Sequence, residues 1–237
     1  MDGLSIQLIL ICMNTLAGPL ATIFDSCLNI GYFPASWKTA RVCVIKKQNK
    51  HNYYDVNSYR PISVTNCLNK ILEKILLNRL KQLAQSGNWI SSNQHGFQMK
   101  KSTETALHTI VSEIEIGFEG KATTASAFID IKSAFDTAWP PAILSSLISR
   151  KCPTYLVKLI QSFLSNRTAT LTSGQTTVSV KPSIGCPQGS LLLPFLWNVL
   201  IDDTIRFQFP FNSSMLAFAD DLTLSAQNKD PSIATKT

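Results

Sequence analysis

The chain has 237 residues, 45% of them hydrophobic, enough to build a sizeable core as one large domain or two smaller ones, which excludes a disordered tail. Its formal charge is +7, and the excess is local: between Lys38 and Lys101 stand twelve basic residues against only Asp55 and Glu73, which favours a polyanionic partner such as nucleic acid. The six cysteines, at 12, 27, 43, 67, 152 and 186, show no CxxC pairing, and with three histidines no zinc-ligand spacing appears, so reduced cysteines in an intracellular, non-secreted protein are expected.

In chain order, Gly3 to Phe24 is a run of 22 residues without a charge, long enough to span a bilayer. Gln7, Asn14, Thr15 and the Gly18-Pro19 break fit a membrane span poorly, and no basic segment precedes the run, so two buried helices broken at Gly18-Pro19 are expected, with no membrane partner. A turn and a short strand at Arg41–Lys46 follow, then a polar loop, QNKHNYYDVNSY, that reads as mobile. Thr65 or Asn66 can cap a helix whose apolar positions Leu68, Ile71, Leu72, Ile75, Leu76, Leu80 and Leu83 recur at three- and four-residue spacing, with Lys70, Lys74 and Lys81 on the other face. A helix capped by Ser102 is expected to bury Ala106, Leu107, Ile110, Val111 and Ile114. ASAFIDI is a short apolar strand ending in Asp130, and Pro140 and Pro141 fit the first turn of another helix.

Three segments carry chemistry. Asp130 lies in an apolar strand, where an unpaired carboxylate costs several kcal/mol and wants a cation. LAFADDLTL reads as a strand, turn and strand with Asp220 and Asp221 at the tip, and two adjacent carboxylates repel unless a metal compensates them. Were the two segments neighbouring strands of one sheet, Asp130 and Asp220 would meet and could hold two divalent ions suited to in-line phosphoryl transfer. Oxygen ligands without His or Cys point to Mg²⁺ rather than zinc. The bland reading is a solvated Asp220-Asp221 turn with Asp130 as a cap or ion-pair partner. The third segment, IGCPQGSLLLPFLWNVLIDD, is a glycine-containing loop feeding an apolar helix, where backbone and a glutamine amide can approach a ligand closely.

In this order, GYFPASWKTARVCVIKK, SYRPISVTNCLNKILEKILLNRL, NQHGFQMKKSTETAL, AFIDIKSAFD, GCPQGS and FADD resemble the reverse transcriptase domain of non-LTR (LINE-type) retrotransposons, and the resemblance runs through nearly the whole chain. It implies an α+β fold shaped as a right hand, with fingers and palm, a small antiparallel palm sheet packed on helices, and the thumb absent. The segments would be an N-terminal helical extension at 1–37, basic fingers at 38–122, and an incomplete palm with an interleaved fingers segment at 123–237. Asp130 matches the family's first palm aspartate and Asp220 and Asp221 its acidic pair, which makes all three catalytic and metal-holding: Asp130 and Asp220 the principal ligands of two Mg²⁺ ions, for which Mn²⁺ is a substitute, and Asp221 a support. Phe135 matches the aromatic that stacks under the sugar and excludes a ribose 2′-hydroxyl. Gln188 and Gly189 match residues lining the sugar and nascent base pair, and Arg60 a fingers arginine near the triphosphate or template. Gln94, Gly96 and Phe97 match the block that shapes the fingers beside it, and Lys46, Lys47, Lys100 and Lys101 are expected to face nucleic acid.

Two positions depart from the family pattern: Gln98 stands where a basic residue is usual, leaving Lys100 or Lys101 to substitute, and Leu193 where a small residue precedes the proline. Only 16 residues follow Asp221, and the chain opens at MDGLS, so a piece of a longer polyprotein is expected, with thumb and endonuclease supplied elsewhere. The function implied is an RNA-directed DNA polymerase that uses an RNA template, a DNA primer and dNTPs, in a nuclear or cytoplasmic ribonucleoprotein. The alternative is a catalytically inactive remnant that still binds nucleic acid. A general metal-dependent nuclease accounts for the acids but not for SYRPIS or GCPQGS.

Overall fold

A computed structural model of the chain describes residues 5–209 and 212–235. The start of the Gly3–Phe24 run and of the expected 1–37 segment lies outside the described residues. In chain order the elements are α1 (Ile6–Ile11), α2 (Met13–Ile30), β1 (Thr39–Lys46), β2 (Tyr59–Val64), α3 (Cys67–Gly87), α4 (Thr103–Glu119), β3 (Thr123–Asp130), α5 (Ala134–Thr137), α6 (Pro140–Ser149) and α7 (Thr154–Leu164). There follow β4 (Thr168–Ser173), β5 (Thr176–Val180), α8 (Leu193–Ile205), β6 (Asn212–Phe218), β7 (Asp221–Asn228) and α9 (Pro231–Ala234). The chain gathers into two units, each made of two stretches: Met1–Leu83 with Phe135–Leu193, and Ala84–Ala134 with Pro194–Thr237.

The first unit holds a four-stranded sheet of order β2-β1-β4-β5, in which β1 pairs antiparallel with β2 and parallel with β4. Its core is formed by Leu72 and Leu76 of α3, Ile143 and Leu147 of α6, and Leu156, Leu159 and Ile160 of α7, none of which is exposed. An aromatic group closes the N-terminal side: Phe33 lies 5.1 Å from Phe163 and 6.3 Å from Trp37, centroid to centroid, in tilted and edge-on geometries that ring quadrupoles favour. Asn66 caps α3 by accepting from the Asn69 backbone N–H at 2.8 Å, and Pro140 opens α6, both as the sequence predicts.

The N-terminal helices differ from expectation. The chain breaks at Cys12, and α2 then runs unbroken through Gly18-Pro19. Pro19 deprives the Thr15 carbonyl of its helical donor, but Thr15 is exposed and water can take the donor's place. Nor are these helices buried all round: Ile9, Phe24, Cys27 and Leu28 point inward, whereas Ile11 is 81% exposed. Among the described residues no helix is long and apolar enough to cross a membrane. The loop after β1 is cross-linked by its own side chains. The Tyr53 hydroxyl donates to the Lys47 carbonyl at 2.9 Å, and the Tyr59 hydroxyl to the Tyr53 carbonyl at 2.8 Å.

The second unit holds a three-stranded antiparallel sheet of order β3-β7-β6. The β6 run Met215, Leu216 and Ala217 is buried without alternation, so both faces of this strand are covered. Phe195, Leu196, Trp197 and Val199 of α8 are buried in the same unit. Ser102 caps α4 in a reciprocal box with Thr105, as expected. That helix, however, buries only its small residues Ala106 and Gly117. It approaches the sheet along a small-residue line, which leaves Leu107 and Val111 exposed rather than in the core. Likewise β3 is an edge strand with Phe128 76% exposed, so the apolar run ending at Asp130 is a surface strand and not the buried one its composition predicts.

All six cysteines are free. Burial pushes the Cys186 thiol up to about 12, which keeps it protonated.

Candidate active site

The acids belong to the second unit. Phe218 and Asp221 are the last paired residues of the β6–β7 hairpin, which leaves Ala219 and Asp220 as a two-residue turn. Ala219 takes a φ of 60°, the left-handed value that the first central position of a tight hairpin turn demands and that glycine usually supplies. In the β3–β7 ladder Asp130 stands directly opposite Asp221. The two segments are neighbouring strands of one sheet, and the charge of Asp130 reaches Asp220 in the adjoining turn. The hairpin tip carries Asp220 in the turn, so the strand position across from Asp130 falls to Asp221.

Burial holds the Asp220 carboxyl above its ordinary value, and the neighbouring charges of Asp221 and Asp130 push it the same way. Asp130 and Asp221 are exposed and Asp220 half-buried, so the burial penalty inferred for Asp130 from its sequence falls on Asp220 instead. Among the described residues no three His, Cys, Asp or Glu side chains form a closed metal cage. Such a cage is not what Mg²⁺ usually needs, because it is commonly held by one or two carboxylates together with waters and substrate phosphates. Two acids facing across a ladder, with a third in the adjoining turn, supply carboxylates of that kind.

Residues 93–96 also belong to this unit rather than to the one with Arg60. Gln94 forms a parallel bridge with Ala217, built from the His95 N–H to the Ala217 carbonyl at 2.7 Å and the Ala217 N–H to the Asn93 carbonyl at 2.9 Å. Phe97 is exposed beyond it. Lys101 spends its ammonium on the Ser92 and Gln94 carbonyls, and burial lowers its pKa. Lys100 is exposed.

The residues matched to the nucleotide pocket belong to the first unit, where four separate sequence blocks form one piece. The Gln188 carbonyl accepts from the Ser63 N–H at 2.6 Å, which fastens the GCPQGS loop to β2. Gly189 has a φ of 105°, and a Cβ there would lie 2.7 Å from the Ser63 carbonyl oxygen, so glycine is required. From α3, Lys70 donates to the Gly189 carbonyl, and the Glu73 carboxylate accepts from the Ser190 hydroxyl at 2.7 Å and the Leu191 N–H at 2.5 Å. From α5, the Phe135 carbonyl accepts from the Cys186 N–H at 2.9 Å, and Asp136 takes both Gln188 amide donations at 2.8 and 2.7 Å. Phe135 and Gln188 are half-buried and Gly189 exposed. Arg60 is exposed on β2 opposite Ile45, and Lys46 of β1 lies 5.1 Å from the centroid of the Tyr53 ring.

Sequence reasoning gave no functional place to Lys70, Glu73, Asp136 and Trp197. For Glu73 a signal existed. Asn69 and Glu73 stand four apart on the leucine face of α3, where a polar side chain needs an internal partner.

Residues 45–236 match the reverse transcriptase (RNA-dependent DNA polymerase) family. The chain is 39% identical over 185 residues to the RNA-directed DNA polymerase from mobile element jockey of Drosophila melanogaster, covering 78% of this chain and 20% of that one. It is 32% identical over 234 residues to the putative 115 kDa protein in type-1 retrotransposable element R1DM of the same organism, covering 98% of this chain and 22% of that one. It thus spans about a fifth of the length of these relatives. Among solved structures, apo telomerase from Candida tropicalis, truncated from its C-terminal domain, aligns at a TM-score of 0.59 over 84% of this chain and 46% of that one, with 14% sequence identity. The mixed α+β fold, with sheets packed on helices, is the shared feature and bears out the architecture expected from the sequence.

Proposed function

As this chain belongs to the reverse transcriptase (RNA-dependent DNA polymerase) family, as the domain of a non-LTR retrotransposon, we propose that it adds dNTPs to a DNA primer along an RNA template. The observation that carries the reading is the acid set of one small sheet, with Asp130 facing Asp221 across the ladder and Asp220 in the adjoining turn. Asp130 and Asp220 would hold two Mg²⁺ ions, or Mn²⁺ in their place, with Asp221 in support. Bound there, such ions would supply the positive charge that helps a primer 3′-hydroxyl to ionise and a pyrophosphate to depart.

The chain's own groups do the rest by positioning. Phe135 stacks under the incoming sugar and leaves no space for a 2′-hydroxyl. Gln188, aligned by its two bonds to Asp136, and Gly189 border the sugar and nascent base pair. Arg60 offers its forked donors to the triphosphate or template. Lys46, Lys47 and Lys100 supply charge along nucleic-acid phosphates, while Lys101 acts by shaping the 92–94 turn that its ammonium holds. Arrangement of these parts as fingers at 38–122 and palm at 123–237, and supply of a thumb and endonuclease by a longer polyprotein, belong to the same proposal.

The test is primer extension on an RNA template with Mg²⁺ and dNTPs, using this chain, a version extended at its C terminus, and Asp130→Asn in each. Extension by the longer protein well above its Asp130→Asn control is expected. Product no greater than that control, alongside salt-sensitive template binding, would instead establish a silent nucleic-acid-binding domain. Phe135→Val should raise the incorporation of NTPs relative to dNTPs by ~10–100-fold, since the discrimination is steric. An unchanged ratio removes Phe135 from the sugar site.

A further inference from the structure

We infer that Gln94 and Trp197 are positioning residues that hold the acidic turn in its left-handed conformation and so aim Asp220. This rests on the polymerase reading for its catalytic consequence. Every group involved lies within the second unit.

Ala219 is the residue on which the direction of Asp220 depends, and both of its main-chain groups are held by buried side chains. The Gln94 amide is 0% exposed. Its Oε1 accepts from the Ala219 N–H at 3.0 Å, and its Nε2 donates to the Ala219 carbonyl at 3.4 Å. The side chain thereby imitates a paired strand at a point where the hairpin has none. The Trp197 indole N–H, on a side chain 4% exposed, donates to the same carbonyl at 3.0 Å. Oε1 of Gln94 also accepts from the Gly96 N–H at 2.7 Å, and the Asn198 amide donates to the Gly96 carbonyl at 2.8 Å. The turn is therefore fastened to α8 twice, directly by Trp197 and through Gly96 by Asn198.

Gly96 permits the approach, because a Cβ at that position would lie 2.2 Å from the Ala219 nitrogen. An alanine with a φ of 60° is disfavoured when free, and it persists where the surroundings over-determine it. Loss of one of the two clamps lets the turn relax toward right-handed values and swings the next residue, Asp220, out of register with Asp130 and Asp221. A group that only filled space would be served as well by a phenylalanine ring as by an indole. The N–H donation to the strained residue is what distinguishes Trp197.

Trp197→Phe keeps the ring and deletes the donor, and Gln94→Glu, which keeps the acceptors and deletes the Nε2 donor, is the companion should the first not fold. In primer extension with the C-terminally extended protein, either variant should lower kcat by ~10-fold or more, leave KM for dNTP and template affinity unchanged, and raise the Mg²⁺ concentration needed for half-maximal rate. Independently of activity, amide hydrogen exchange at Ala219 and Asp220 should quicken while the rest of β6 and β7 stays protected. A kcat equal to wild type, or a fall in kcat matched by a rise in KM, would overturn the positioning role. Unchanged exchange at Ala219 would overturn the clamp itself. If the wild-type protein makes no product, quickened local exchange still supports the clamp and it is the polymerase reading that fails.

Discussion

Asp220→Asn is expected to lower nucleotide addition by orders of magnitude and at the same time raise the melting temperature. The folded protein holds this carboxyl above its ordinary value of 3.8, first by burial and then through Asp221 and Asp130. A raised folded pKa means that the stability tied to this group is fully present at low pH and is lost as pH rises through the raised value, because the fold disfavours the charge. At neutral pH the wild-type protein therefore carries a cost that asparagine removes. Asp220 is half-buried, so solvent screens much of the effect, and a rise in Tm of up to ~3 °C is the expected size.

The gain should be visible at pH 7 and vanish in acid below the ordinary carboxyl value. Mg²⁺ should stabilise the wild-type protein more than the variant, since a ligand bound only by the native state adds to its stability. The activity loss should be ~10²–10³-fold, the rate equivalent of the several kcal/mol of charge stabilisation that a metal ligand set contributes. Melting curves with and without Mg²⁺ at pH 3 and pH 7, beside primer extension, check all of this. A variant less stable than wild type at pH 7 contradicts the electrostatic account, and one that retains activity contradicts the site.

The largest stability effect is expected from Glu73→Ala. This carboxylate is 1% exposed and holds the Ser190 hydroxyl and the Leu191 N–H at the entrance to α8. A hydrogen bond to a charged group contributes about 1.5–3 kcal/mol, and removing one side of it leaves the other buried and unsatisfied, so a loss of about 3–5 kcal/mol follows. For a chain of this size that is a fall in Tm on the order of 10 °C. Glu73→Gln, which keeps one acceptor oxygen, should lose less than half as much. Thermal and urea melts of both variants provide the check, and a Tm within ~2 °C of wild type for Glu73→Ala would show that Glu73 does not anchor the loop.

Much of the local structure was legible in the residues because it is dictated by near neighbours. Asn66 and Ser102 announce helix starts because a short polar side chain can satisfy orphan N–H groups three residues on. Pro140 opens a helix where its missing donor costs nothing. LAFADDLTL reads as a hairpin because two β-prone runs flank a polar break, although the turn is Ala219-Asp220 and Asp221 already belongs to the second strand. Where the readings failed, the missing information was which surface another segment covers. The apolar faces of α4 and β3 look buried by composition, yet Val111 and Phe128 are exposed because no described element lies over them. Gly18-Pro19 looks like a break, yet α2 continues because the freed carbonyl of Thr15 lies on an exposed side.

The order of the motif blocks alone was sufficient to assign the family and the mixed α+β fold, and it singled out Asp130, Asp220 and Asp221 as candidates, since carboxylates set among apolar residues are conspicuous wherever they stand. Only the tertiary structure decided that Asp221 stands opposite Asp130 with Asp220 in the adjoining turn, that Glu73 and Asp136 anchor the GCPQGS loop, and that Gln94 joins the unit of the acids. Those pairings join residues up to 125 positions apart. Nothing in the local pattern distinguishes a one-residue shift in register or the choice of a distant partner, because both are settled by the packing that closes the chain on itself.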